Sequence, residues 1–238
     1  MKNGYFPKQH GAWAMQVLPF LFGMFAAGPK PIHGLLFLGW LCAYLFSYPL
    51  LQWLRTGKKR VYQTPTFLYG GVLFVIGAAL LIWKPELFRW APLFIPMLLV
   101  NLIYARRNRE RAVLNDLAAV VQFSLMVFVA FDAGGGEDWR FAAGLFLLSL
   151  LYFTGTVFYV KTMIREKNNK AFYWCSVLYH AAFLAAVAIL YPPGLLAAAA
   201  ALLVRAVLTP RLAPPVKIVG MLEIAYSALV LICAWAAY

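Results

Sequence analysis

Residues 141–163 read FAAGLFLLSLLYFTGTVFYVKTM, and residues 141–160 of this stretch contain no charged side chain. As an α-helix, such a run extends about 30 Å, which matches the thickness of the hydrocarbon core of a bilayer. Basic residues flank the run, with Arg140 before it and Arg165 after it. The stretch therefore predicts a transmembrane helix.

The same pattern of a long apolar run between charges or turn residues repeats along the 238 residues of the chain. Hydrophobic side chains make up 64% of the chain and charged ones only 12%, which is too little polar surface for a soluble protein of this size. The apolar runs lie at 11–29, 34–54, 66–83, 88–104, 112–131, 141–163, 171–191, 194–209 and 217–237. The third, fourth and eighth runs are short or bounded by proline, so a re-entrant pair would lower the count. We predict an all-α integral membrane fold of about nine transmembrane helices, forming a single polytopic domain over residues 1–238.

If successive apolar runs cross the membrane in opposite directions, most basic residues fall on one side of it. Seventeen of the 21 lysines and arginines fall on the side of the N-terminus, and only Lys30, Lys84, Arg89 and Arg140 fall on the other. Because cytoplasmic loops collect positive charge, we predict a multi-pass protein of the cell membrane with its N-terminus in the cytoplasm and its C-terminus outside. Membrane insertion accounts for the basic excess, so no nucleic-acid partner is expected.

A first group of candidate binding residues precedes the first apolar run. Lys8, Gln9 and His10 stand immediately before a glycine and a tryptophan. They either anchor the helix at the cytoplasmic interface or present hydrogen-bond donors to an anionic ligand at a helix N-terminus.

A second group, Gln52 and Arg55, lies at the inner end of the second run, after Pro49. Proline removes a backbone hydrogen bond and can open a cavity in a membrane helix. Insertion charge, with contact to anionic lipid, is the competing interpretation.

A third group lies between the fourth and fifth runs and comprises Arg106, Arg107, Asn115 and Asp116. Asp116 could serve as a helix cap and partner of the helix dipole, or it could orient the arginines toward a ligand.

Further candidates lie at the end of the sixth run and inside the ninth. Lys161, Arg165 and Glu166 form a polar helix end, whereas Glu223 is the only acidic residue of its run. A carboxylate inside a span is expected to pair with a basic residue and to have a functional role. His180, in the seventh run, is expected to make a core hydrogen bond or to relay protons.

Several motifs in the chain resemble those of the YwiC-like family of bacterial membrane proteins. They are KQHGAW at 8–13, YARRNRER at 104–111, NDL at 115–117, YVK at 159–161 and IR at 164–165. That family has no firmly assigned activity.

The nine-helix layout, with polar sequence at the inner ends of the second, fourth and sixth helices, is more distantly similar to the UbiA superfamily of intramembrane prenyltransferases. The resemblance implies an isoprenoid diphosphate held through magnesium by two Asp-rich motifs. This chain departs from it, because residues 1–85 contain no Asp or Glu and the second region keeps only Glu166.

Electrostatics then predicts which ligand such a cavity would hold. Scattered carboxylates among many cations make a poor magnesium site, whereas arginine and lysine bind phosphate without metal. We therefore expect a membrane lipid or isoprenoid with an anionic headgroup as the ligand, and no cofactor. Haem is not expected either, because His10 and His33 lie near opposite faces and neither matches the depth of His180. Three functions stay open: at best a divergent transferase, a lipid-binding or assembly factor, or a transporter.

Overall fold

The computed structural model describes Tyr5 and residues 10–238, and within them the chain forms ten α-helices and no strand. The helices are α1 (His10–Ala26), α2 (Pro31–Thr56), α3 (Lys59–Trp83), α4 (Ala91–Arg106), α5 (Val113–Ser124), α6 (Met126–Ala133), α7 (Trp139–Ile164), α8 (Lys170–Leu190), α9 (Leu196–Leu212) and α10 (Val216–Ala237). Short 3-10 turns, Pro85–Trp90 and Pro193–Leu195, lead into α4 and α9.

Eight segments in the described part of the chain are long and apolar enough to cross a membrane. The all-α, multi-pass prediction is confirmed. The three runs that were short in the sequence belong to segments of 25, 22 and 20 residues, Lys59–Trp83, Pro85–Arg106 and Pro193–Leu212. α5 and α6 together make one segment, Val113–Ala133. The apolar part of α1, Ala12–Ala26, is shorter than these eight, so its crossing stays a prediction.

The helices extend past their apolar runs because a helix can continue into the headgroup region, where water satisfies polar side chains. α3 shows this most clearly. It begins at Lys59, seven residues before the predicted start at residue 66, and it includes the polar residues that follow Lys59.

The helices group into two compact units. The first comprises Tyr5 and residues 19–147. Phe20, Ile32, Leu36, Met126 and Ala130 form part of its core.

Within the first unit, α1 approaches α6 closely at Gly23. A Cβ atom at this position would lie 2.1 Å from the backbone carbonyl oxygen of Val127, so only glycine permits the contact.

The first unit also contains a polar clamp around Asp132, at the end of α6. The Asp132 carboxylate accepts hydrogen bonds from Arg89 Nη2 and Trp90 Nε1, each at 2.7 Å. Lys84 donates to the backbone carbonyls of Asp132 and Ala133. The clamp satisfies these polar groups internally, as the interior of a membrane protein requires.

The second unit comprises residues 10–18 and 148–238. Leu195, Leu202, Val219 and Val230 are buried in it, and small residues of α9 such as Ala198 are buried beside them. Small side chains let membrane helices approach closely, which suits the alanine-rich start of α9.

Candidate functional site

The first unit has a cavity of about 310 Å³ at the C-terminal ends of α2 and α4. We call it the arginine cavity. The residues that line it are Arg55, Asn108, Arg109, Glu110, Arg111 and Ala112.

Two helix endings build the arginine cavity. α2 ends at Thr56 and is followed by Gly57 with φ of 66°, a left-handed conformation that glycine adopts without strain. α4 ends at Arg106, and Asn108 takes φ of 54°, which asparagine tolerates better than most residues. The backbone N–H of Arg109 then donates to the carbonyl of Tyr104 at 2.9 Å, which closes the turn.

The described lining of the arginine cavity contains three guanidinium groups and one carboxylate. Arg55 Nη1 lies 2.6 Å from Glu110 Oε2, and about 30% of each side chain is exposed (31% and 26%). Asn115, which is buried in α5, donates from Nδ2 to the Glu110 carbonyl at 2.8 Å and ties the loop to the helix. With Arg109 and Arg111, the cavity carries a formal net charge of about +2, which favours an anionic occupant.

The predicted residues of the first unit divide between the cavity and its surroundings. Arg55 lines the cavity, and Asn115 supports its loop. Arg106 and Arg107 are exposed at the end of α4 and are not among the lining residues, which instead include Arg109 and Arg111.

Two further predicted residues of the first unit lie beside the cavity. Gln52 lies in α2, where its backbone carbonyl accepts a hydrogen bond from the Thr56 hydroxyl. Asp116 lies in the first turn of α5 but is not its cap, since Ala112 occupies that position. The carboxylate is therefore placed to interact with the helix dipole.

Lys8 and Gln9 lie outside the described residues. His10 is the first residue of α1, and only its backbone is described. Their proposed part in binding stays a prediction.

In the second unit, the predicted polar group at the end of α7 splits at the helix terminus. Lys161 is buried in α7, whereas the helix ends at Ile164 and leaves Arg165 and Glu166 in the following turn. Both backbone N–H groups there donate to the Lys161 carbonyl. The Glu166 carboxylate accepts a hydrogen bond from Asn169, which caps α8. The polar helix end predicted from Lys161, Arg165 and Glu166 therefore consists of one buried residue inside α7 and two residues in the turn after it.

A buried polar group of the second unit joins three helices. Arg205 of α9 donates from Nη1 to Glu223 Oε1 of α10 at 2.6 Å, and its Nη2 lies 3.4 Å from His180 Nε2 of α8. Arg205 and Glu223 are each 1% exposed and His180 is 2% exposed. The pairing expected for Glu223 is confirmed. His180 makes the core hydrogen bond that was one of its two expected roles, and the proton relay stays a prediction. We call Arg205, Glu223 and His180, with the rings of Tyr159 and Tyr226, the buried cluster.

Aromatic rings cover the charge of the buried cluster. The Arg205 guanidinium carbon lies 4.2 Å from the centre of the Tyr159 ring and 4.9 Å from that of Tyr226. A cation gains more from such contacts when it is desolvated. The rings therefore stabilise a guanidinium that water does not reach.

The geometry also determines the protonation of His180. Its Nδ1 lies 2.7 Å from the Ser176 carbonyl, which can only accept, so Nδ1 carries the hydrogen. Its Nε2 faces a guanidinium, which can only donate, so Nε2 presents a lone pair and the ring is neutral.

Arg205 is one of the seventeen basic residues that the sequence assigned to the N-terminal side as insertion charge, and the structure shows that it is buried inside α9. Arg205 stands within the apolar run AAAAALLVRAVL at 197–208, and that interruption was the available signal. Its partner could not be identified from sequence, because the pair depends on the packing of α9 against α10.

Comparison with known proteins identifies a family. The family described as YwiC-like protein matches residues 6–131, which include every residue that lines the arginine cavity. A Bacillus subtilis relative, the uncharacterized protein YwiC, is 41% identical over 174 residues, 73% of each chain. An uncharacterized protein of Haemophilus influenzae is 33% identical over 231 residues, 92% of each chain. No solved structure matches the chain. This multi-pass membrane protein belongs to the YwiC-like family.

Proposed function

We propose that this chain binds the anionic headgroup of a membrane lipid or isoprenoid phosphate at the arginine cavity, on the cytoplasmic side of the bacterial cell membrane and without magnesium. The observation that carries the proposal is the convergence of Arg55, Arg109 and Arg111 on one cavity with a single carboxylate among the described lining residues.

The charge of the cavity suits a phosphate monoester. Three guanidinium groups and Glu110 leave a formal charge of about +2, and a phosphate monoester carries about −1.5 to −2 at neutral pH. Arginine binds phosphate through two parallel hydrogen bonds, so no bridging metal is needed.

The surroundings suit a ligand with an apolar tail. Leu54, Ile103 and Leu114 are all more than 40% exposed, and they belong to the three helices that end or begin at the cavity. A volume of about 310 Å³ suits a headgroup, and the tail of an amphiphile would lie along the exposed apolar surface in the bilayer.

Binding without chemistry is favoured over a transferase related to UbiA. The described lining supplies arginines and Asn108 for recognition, and its one carboxylate is held by Arg55. These groups orient and neutralise an anion, as a lipid-binding or assembly factor requires.

Lipid analysis of the purified protein tests the proposal. We expect an anionic or isoprenoid lipid to copurify with the wild-type chain and to be lost from the variant Arg55→Gln/Arg109→Gln/Arg111→Gln. Short-chain phosphatidic acid and farnesyl phosphate, titrated separately, distinguish the two lipid sources. Affinity for the preferred probe should fall at least about tenfold in the variant, since loss of one charge-assisted hydrogen bond costs about 1.5 kcal/mol or more.

The matched control is Lys58→Gln/Lys59→Gln/Arg60→Gln, which removes the same charge at the neighbouring start of α3, outside the described lining. The control should bind as the wild type does, and EDTA should leave binding unchanged. Equal loss of lipid from both triple variants would refute a specific cavity and leave only general basic charge.

A further inference from the structure

The buried cluster of the second unit has a balanced charge and unused hydrogen-bonding groups. Arg205 is cationic, Glu223 is its anionic partner, and His180 is neutral, so the net charge is zero. A low-dielectric interior tolerates a group of charges whose sum is zero better than an uncompensated charge.

Several buried polar atoms around this pair make no hydrogen bond with the described part of the chain. They include Arg205 Nε, Glu223 Oε2 and the hydroxyl oxygens of Ser176 and Thr156, and their residues are all at least 96% buried. Thr156 lies close enough to the Glu223 carboxyl to interact with it, but without hydrogen-bonding geometry. Because buried polar groups are nearly always paired, these atoms point to a bound polar species.

The unused groups consist mostly of donors. The Nε–H edge of Arg205 can only donate, and the two hydroxyls can donate, whereas Glu223 Oε2 is the one atom among these four that can only accept while ionised. Glu223 also uses only one arm of the guanidinium fork, since the single ion-pair contact joins Nη1 and Oε1. Of the guanidinium nitrogens, Nε alone makes no hydrogen bond with the described part of the chain, so its N–H is a donor from which a second carboxylate can accept.

We propose that the buried cluster binds a small monocarboxylate on Arg205 together with one proton, which Glu223 accepts. The anion takes donors that Glu223 leaves unused, and the proton comes from solvent. The complete burial of the cluster restricts the ligand to a few heavy atoms, such as formate or acetate.

The uptake of a proton follows from the net charge of the buried cluster. A second carboxylate beside Glu223 would leave one uncompensated negative charge in a buried site. Two neighbouring buried carboxylates avoid this by sharing one proton. Glu223 is faced by Arg205 from α9 and by Thr156, Tyr152 and Tyr159 from α7. Tyr226, on the same helix as Glu223, packs against Arg205. His180 from α8 faces Arg205 and is the poorer proton acceptor, because its free lone pair points at the guanidinium.

Calorimetric titration of the purified protein with sodium formate and sodium acetate tests this inference. Runs in two buffers of different ionisation enthalpy give the number of protons taken up. We expect one of the probes to bind with uptake of about one proton, and its affinity to rise about tenfold for each unit fall in pH, because linkage is reciprocal.

Variants separate this site from general effects. Glu223→Gln should bind the anion without proton uptake. The doubly apolar variant Arg205→Met/Glu223→Leu, which stays neutral and keeps a folded core accessible to measurement, should not bind it. Arg211→Met, at the exposed end of α9, and the triple variant of the arginine cavity should both bind as the wild type does.

The inference is overturned if neither probe binds the wild type, if binding takes up no proton, or if the doubly apolar variant binds normally. The proposed lipid site can fail or hold independently, since its test uses different residues and probes.

Discussion

Arg205 and Glu223 stabilise each other inside an apolar bundle. A buried ion pair gives little net stability compared with apolar residues of the same size, yet removal of one partner leaves an uncompensated charge. Loss of either residue alone should therefore lower the free energy of unfolding far more than loss of both.

This asymmetry gives a prediction for the free energy of unfolding. Arg205→Ala and Glu223→Ala should each lower it by about 3–5 kcal/mol, whereas Arg205→Met/Glu223→Leu should be neutral or stabilising. Reversible unfolding in detergent micelles measures all three. Arg211→Ala serves as the control, since Arg211 is exposed and should change little. Additive losses in the double variant would contradict the account.

The contact between α7 and α8 depends on one glycine. A Cβ atom at Gly155 of α7 would lie 3.1 Å from the Tyr179 ring and 3.2 Å from His180 Nε2. The missing side chain therefore makes room for the imidazole that faces Arg205. Tyr179 closes the same contact by donating its hydroxyl hydrogen to the Leu151 carbonyl at 2.9 Å.

Gly155→Ala should therefore displace His180 and lower the free energy of unfolding by about 1–3 kcal/mol, as overpacking does. Gly71→Ala in α3 is the control, because it also adds one methyl group to a helix and no described atom lies within 4 Å of a Cβ there. That control should be neutral or gain up to about 1 kcal/mol from better helix propensity. Thermal unfolding of both variants beside the wild type measures the difference. Equal stability of the two variants would show that the contact is not tight.

Several helices end in the same way, with a left-handed residue and basic side chains close to the C-terminus. α2, α4, α7 and α9 are each followed by a residue with positive φ, at Gly57, Asn108, Asn168 and Ala213. Basic residues near these C-termini also meet the negative end of the helix dipole. The basic residues at each of these helix ends thus have a structural role beside the topogenic role predicted for them.

The topology of the whole molecule can be tested with fusions. A reporter that is active only in the cytoplasm should be active after Asn169, in the α7–α8 turn, and inactive after Tyr238, because the basic residues place these points on opposite sides. A reporter active only outside should give the reverse pattern. Cytoplasmic activity at Tyr238 would overturn the predicted orientation.

The sequence predicted the helices well because the thickness of the bilayer sets their length, and apolar runs such as 141–163 reflect it directly. The sequence showed where the basic residues lie along the chain, but not which of them line one cavity. Arg55 was a candidate from the sequence. Arg109 and Arg111 line the cavity and Arg106 and Arg107 do not, because the chain leaves α4 through a left-handed turn at Asn108, which the sequence did not predict. The burial of Arg205 was not predicted because it depends on contacts between helices.

The ion pair of Arg205 also constrains how the chain is made. α9 leaves the ribosome first, with an arginine near its middle, which costs about 2.5–3.5 kcal/mol on insertion into the membrane. Its compensating carboxylate lies 18 residues later, on α10. α9 is therefore a poor membrane segment until its successor has been synthesised. The two helices should enter the bilayer as a pair, so stable insertion of α9 depends on the completed synthesis of α10.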